Sequence, residues 1–144
     1  MAKNKLPISF RLVKMEEKQF STFDIPDVDV GKITQKVAFG FGADPEKRVI
    51  VCGCHYTLLV DEQPFINIHL LCFFAIEEKA WNEKLIKPGE ILLDRDFAIH
   101  LASITASTTR GALFANTKNT IHQKYPMALI DTTNSIKEDI SILI

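Results

Sequence analysis

From Ile8 to Met15 the chain sets apolar against polar residues in the period of a half-buried strand, pauses at Glu16-Glu17-Lys18, and resumes through Phe20 and Phe23. The spacing predicts one long first strand, bent or bulged, or two short ones. Pro26 and Gly31 bracket a connection. Beyond it Ile33, Gln35, Val37, Phe39 and Phe41 share one face of a second strand, while Thr34, Lys36, Ala38 and Gly40 share the other. Gly42 to Lys47 contains Asp, Pro and Gly and reads as a turn, because Pro fixes φ and Gly and Asp favour tight reversals. A third strand is expected from Arg48 to Val60, a turn at Asp61 to Pro64, and a fourth strand from Phe65 to Glu77.

The third and fourth strands are apolar on both faces. Ile50, Cys52, Cys54, Tyr56, Leu58 and Val60 line one side of the third, with Val49, Val51 and Leu59 on the other beside His55 and Thr57. An antiparallel sheet with one solvated face normally alternates apolar-in and polar-out. A second cover is therefore expected, from a partner subunit, the chain's own helix or a client segment.

After the fourth strand the period changes. Ala80 to Lys84 reads as a single helical turn and Lys87-Pro88-Gly89 as a break. A long helix is expected over Asp94 to Asn119, with Asp94 and Asp96 at its positive N-terminal end. Phe97, Leu101, Ile104 and Thr108 follow helical spacing, and the adjoining positions Ala98, Ala102, Thr105, Ala106 and Thr109 are small. Small side chains let another backbone come near, so this face is expected to be a contact between subunits. Asn116 to Asn119 reads as a loop. A short last helix is expected to start at Thr133 or Asn134 and run through Ile136, Ile140 and Leu143. The whole gives an α+β fold: a four-stranded antiparallel sheet, then one long helix and a short C-terminal helix, in a single domain over residues 1–144.

Composition narrows the functions. A chain of 144 residues buries roughly 68–70% of its unfolded surface, so it can support its own core. Its 17 basic and 18 acidic residues leave a net charge of −1, so no global field draws it to nucleic acid or an anionic membrane. MAKNKLPISF has no apolar run of signal-peptide length, no segment is long enough to span a bilayer, and three cysteines are an odd number; a cytoplasmic address with reduced thiols is expected.

Candidate chemistry is sparse. Cys52, Cys54 and His55, with His69 and Cys72 downstream, resemble metal ligands, but strand alternation puts Cys52 and Cys54 on one face and His55 on the other. No metal is expected. No G-x-S-x-G turn is present, and Ser103, Ser107, Thr108 and Thr109 lie in helical periodicity, where hydroxyls return a hydrogen bond to the preceding turn. His100 has no acid at a supporting helical offset on its C-terminal side, and Gly40-Phe41-Gly42 lacks the third glycine of a phosphate loop. The chain is read as a non-enzyme without cofactor. The aromatics point to binding instead: Phe39, Phe41, Tyr56, Phe73, Phe74 and Trp81 are candidates to line a groove for extended apolar peptide, helped by main-chain pairing at a sheet edge.

Four antiparallel strands, a long helix ending in Thr109-Arg110-Gly111, a proline at Pro126 and a short last helix resemble the SecB family of export chaperones. The resemblance runs from about Ile8 to Ile136 and is most specific over Ala102 to Phe114. It implies a homotetramer, a dimer of dimers, whose grooves hold unfolded precursor proteins without ATP for protein transport and translocation, with the translocation motor as a further partner. Relatives also serve toxin-antitoxin systems, so the resemblance equally implies an antitoxin as client. The chain departs from the family in its near neutrality, in a longer connection from Gly111 to Pro126, and in an apolar end at Ile142 to Ile144, which is expected to pack against a neighbour. A small hot-dog-type enzyme is the rival from another class; there the helix follows the first strand, whereas here it follows four. A structural oligomer without a client is the third reading.

Overall fold

Four strands fill the first half of the chain: β1 (Phe10–Thr22), β2 (Ile33–Asp44), β3 (Val49–Val60) and β4 (Gln63–Ile76). The computed structural model describes residues 8–24 and 32–144; Pro26 and Gly31 lie outside the described residues. All pairs are antiparallel and the order is β1-β4-β3-β2, which makes β1 and β2 the two edges. β1 is a single strand whose register against β4 shifts between Leu12 and Lys14 and again between Glu17 and Gln19. The pause at Glu16-Glu17-Lys18 thus belongs to a bulged strand. β2 pairs with β3 without a shift from Ile33↔Val60 to Asp44↔Val49.

The middle of the chain adds elements that periodicity missed. A helical turn α1 (Glu78–Ala80) runs into the wider turn Trp81–Leu85, and two short strands follow, β5 (Ile86–Lys87) and β6 (Glu90–Leu93). The long helix is α2 (Arg95–Thr117), capped by Asp94, whose carboxylate accepts a hydrogen bond from the Phe97 amide at 2.8 Å. After a tight turn at Ile121–Lys124 comes α3 (Thr132–Ser135), capped by Asp131.

The expected last helix stops there. Ile140–Leu143 is a strand, β7, paired with β6 to give a second sheet of order β5-β6-β7. Ile140 and Ile142 alternate with Ser141 and Leu143, and that two-residue period prevails over the i, i+4 spacing of Ile136 and Ile140. Ile140 and Ile142 therefore pack on their own chain, while Leu143 and Ile144 stay exposed. Arg95 fastens this segment to the start of α2: its guanidinium donates to the carbonyls of Ile136 and Thr133 at 2.8 Å each, and its amide donates to Asp139 at 2.7 Å.

One side of the large sheet carries the core. Ile50, Cys52, Cys54, Tyr56 and Leu58 of β3 lie beside Phe74, Cys72, Leu70, Ile68 and Ile66 of β4, all buried. α2 lies over them with Phe97, Ala98, Leu101, Ala102, Thr105, Ala106, Thr109 and Leu113 buried. The residues expected at a subunit contact, Ala98, Ala102, Thr105, Ala106 and Thr109, are thus the face the helix turns to its own sheet. Their small size fits the cysteine row beneath, where the Thr105 hydroxyl meets Cys52 and the Thr109 hydroxyl meets Cys54. The opposite side of the sheet has no cover among the described residues, and its Val49, Val51, Leu71, Phe73 and Ala75 are half-buried.

Candidate peptide-binding site

The six aromatics expected to line one groove occupy four places. Tyr56 and Phe74 are fully buried under α2, and Trp81 is buried between the sheet and the small second sheet. The Tyr56 hydroxyl donates to Gln35 at 3.1 Å, and burial pushes its pKa up to about 12, so it is a fixed core group. Phe73 points to the uncovered side of the sheet, because Val51↔Phe73 and Ile50↔Phe74 are successive register pairs and successive residues face opposite ways. There the Lys14 ammonium sits 5.0 Å from its ring centre. Only Phe39 and Phe41 lie together near a free edge. They stand opposite Cys54 and Cys52, on the helix side of β2, and are half-buried against the core.

The edge beside them is long and plain. β2 runs for 12 residues with no bulge, and among the described residues no strand pairs with its outer side. Only Lys36 and Asp44 carry charge along it. Gly40 and Gly42 have open space where a side chain would stand. Such an edge presents a row of unpaired N–H and C=O groups, about half of those on the strand. The other edge is guarded: β1 has two register shifts and five charged residues, Arg11, Lys14, Glu16, Glu17 and Lys18. The sequence carried the signal for this contrast in the charge count and the Glu16-Glu17-Lys18 interruption.

No protein-family model matches the chain, and no curated protein matches it significantly. Among solved structures it is similar to a SecB-like chaperone of Mycobacterium tuberculosis in complex with a ChAD peptide from the HigA1 antitoxin, at 11% identity over 85% of this chain and 88% of that one, with a TM-score of 0.48. It is also similar to a protein of unknown function from Streptococcus agalactiae, at 14% identity over 88% of this chain and 99% of that one, again with a TM-score of 0.48. These likenesses concern the path of the chain.

Groups that could do chemistry are held in structural contacts. The hydroxyls of Ser103, Thr105, Thr108, Thr109 and Thr117 each donate to the carbonyl four residues back. The three cysteines are buried free thiols; burial pushes Cys52 up to about 12 and Cys54 to about 11, and raises Cys72 as well. His122 is buried with Nε2 3.0 Å from the Phe23 carbonyl, and His55 Nε2 lies 2.6 Å from the Asn67 side chain. Among the described residues no three His, Cys, Asp or Glu side chains converge as metal ligands. No helix among them is long and apolar enough to cross a membrane.

Proposed function

We propose that the chain is a chaperone of SecB type that holds extended, nonnative polypeptide without ATP, pairing the client's backbone with the free edge of β2 and resting its apolar side chains beside Phe39 and Phe41. The observation that carries this reading is the contrast between the two edges: β2 is unbulged and carries two charges, whereas β1 is twice bulged and carries five. Main-chain pairing takes up a segment with little regard to its sequence, and alternate side chains of the added strand meet the aromatic side. Holding needs only burial and reversible release, and no nucleotide chemistry.

The precursor of an exported protein or an antitoxin is the class of client that fits the proposal, in a homo-oligomer in the cytoplasm. The translocation motor would be a partner in the export case only. The test uses a reduced, unfolding client whose aggregation is followed by light scattering. The wild-type chain is expected to suppress aggregation near equal molar amounts. A variant with Ala38→Lys and Gly40→Lys, both exposed on β2, should keep its fold and lose most of that suppression, because charges on an edge repel an incoming apolar strand. Undiminished suppression by the variant would move the site off β2, and a wild type with no effect would end the chaperone reading.

A further inference from the structure

The turn between β2 and β3 holds an arginine in a place that a glycine would fill more easily. Arg48 has φ 53°, in the left-handed region that side chains disfavour. Its backbone is fixed there from both sides: the amide donates to the Pro45 carbonyl at 3.3 Å, and the carbonyl accepts from the Ile76 amide at 2.9 Å. The side chain turns inward, and its Nε is buried with no hydrogen-bond partner among the described residues. A buried donor left without an acceptor is uncommon in folded proteins and calls for a specific explanation.

Arg48 lines an open cavity of about 420 Å³ at this end of the sheet, together with Arg11 of β1, Lys47 of the turn, Phe10, and Glu77 and Glu78 just past β4. That volume lies within the range of small-ligand sites. None of the ion pairs among the described residues involves Arg11, Lys47 or Arg48. Three cations thus line the cavity without an ion pair among the described residues, and the two Nη groups at the end of a guanidinium form a fork that a carboxylate fills with two parallel hydrogen bonds. Phe10 gives the cavity an apolar wall. Glu77 and Glu78 on the same rim oppose a second negative charge, which disfavours phosphate, sulfate and dicarboxylates.

We propose that the Arg48 cavity is a binding site for a monocarboxylate with a short apolar stem, either the C-terminus of a peptide or a free monocarboxylic acid. The proposal does not rest on peptide binding at β2. The backbone strain offers an unusually clean test, since Arg48→Gly removes the guanidinium while relieving the left-handed conformation, so the variant should melt no lower than wild type. Amide resonances are followed in the full chain during titration with N-acetyl-Ala-Ala-Phe as the free acid, the same peptide as its amide, phenylpropionate and inorganic phosphate. Saturable shifts at residues 9–11, 47–48 and 77–78 are expected with the free acid. Loss of the carboxylate or of the guanidinium should weaken binding about tenfold or more, as befits a charged, two-bond contact. Binding of the acid peptide without phenylpropionate identifies a chain terminus as the ligand, and binding of both identifies a free acid as sufficient. Equal binding of the amide, phosphate binding as tightly as the acid, full binding by Arg48→Gly, or no saturable shift at millimolar ligand would each overturn the proposal. Should Arg48→Gly fold poorly, Arg48→Gln carries the same comparison.

Discussion

Replacing Ala102 with leucine adds three carbons at a position with no exposed surface, on the face of α2 that lies over β3 and β4. If space existed, those carbons would stabilise the fold by about 0.8 kcal/mol for each CH₂ buried. There is none in view, since Ala102 belongs to the same buried cluster as Cys52, Cys72, Phe74, Ala98 and Leu101, all of them closed to solvent. The helix must lift or its neighbours must leave their rotamers, which costs about 1–3 kcal/mol in a packed core. For a domain of this size each kcal/mol moves the melting temperature by about 2–4 °C, so Ala102→Leu is expected to melt roughly 2–12 °C below wild type. Ser107→Leu, exposed on the same helix, is the control and should shift little, because helix propensity alone separates such residues by a few tenths of a kcal/mol. Thermal melts by circular dichroism are read beside the mass from light scattering. If Ala102→Leu melts with wild type while the mass falls, the small-residue face joins subunits after all, and the packing of α2 on its own sheet is refuted.

Three further outcomes follow from the same structure. Asp94→Ala removes the acceptor for the Phe97 amide and should lower stability by about 0.5–2 kcal/mol in urea titration, with Asp94→Asn retaining most of it; equal losses in both would show that charge and not capping matters. The three buried thiols, with Cys52 raised to about 12 and Cys54 to about 11, should resist iodoacetamide at mildly alkaline pH in the folded chain and react fully in denaturant, as read by mass spectrometry. His69 is held below its usual value, first by burial and then by His55, stacked 5.0 Å away, and by Lys18. The unfolded chain therefore takes up its proton first, so this contribution is complete above about pH 6.5 and is lost as pH falls toward the folded value; a urea midpoint that declines from about pH 7 to pH 5, less steeply in His69→Gln, is expected, and identical slopes would remove His69 from the account.

Strand alternation made the large sheet legible, because a period of two fixes which residues share a face and the turn residues fix where strands reverse. It also held a constraint on the groove: Phe73 and Phe74 are neighbours in one strand and could never line one surface. What alternation cannot say is which face of a doubly apolar strand the helix takes, and so Tyr56 and Phe74 are in the core. The Ala and Thr positions of α2 were visible, yet small residues fit any close approach, to a partner or to the chain's own cysteine row. β5 and β6 escaped notice for another reason. Strands of two and four residues have too short a period to register, and β6 is completed by β7, which returns from about fifty residues further on.

The two edges of the sheet show how fold and proposed function divide the same backbone. An open strand is a liability unless it is bulged, charged or covered, and β1 has the first two protections. β2 has no bulge and only two charges, Lys36 and Asp44, although one further lysine would add another at little cost to a surface strand. Its helix side is partly sheltered instead: Val37, Phe39 and Phe41 pack against the core, with Met127, Ile130, Ile140 and Ile142 in the same clusters. That arrangement keeps the aromatics from presenting a wide apolar patch while the outer backbone row of β2, with β7 close to part of the strand, has no paired strand among the described residues. Under the proposed function, pairing of the main chain would come first and apolar contact second, which suits a client that is extended and varied in sequence better than one with a fixed motif. The guarded β1 edge limits such pairing to one side of the sheet, so a chain added at β2 does not by itself recruit another at β1.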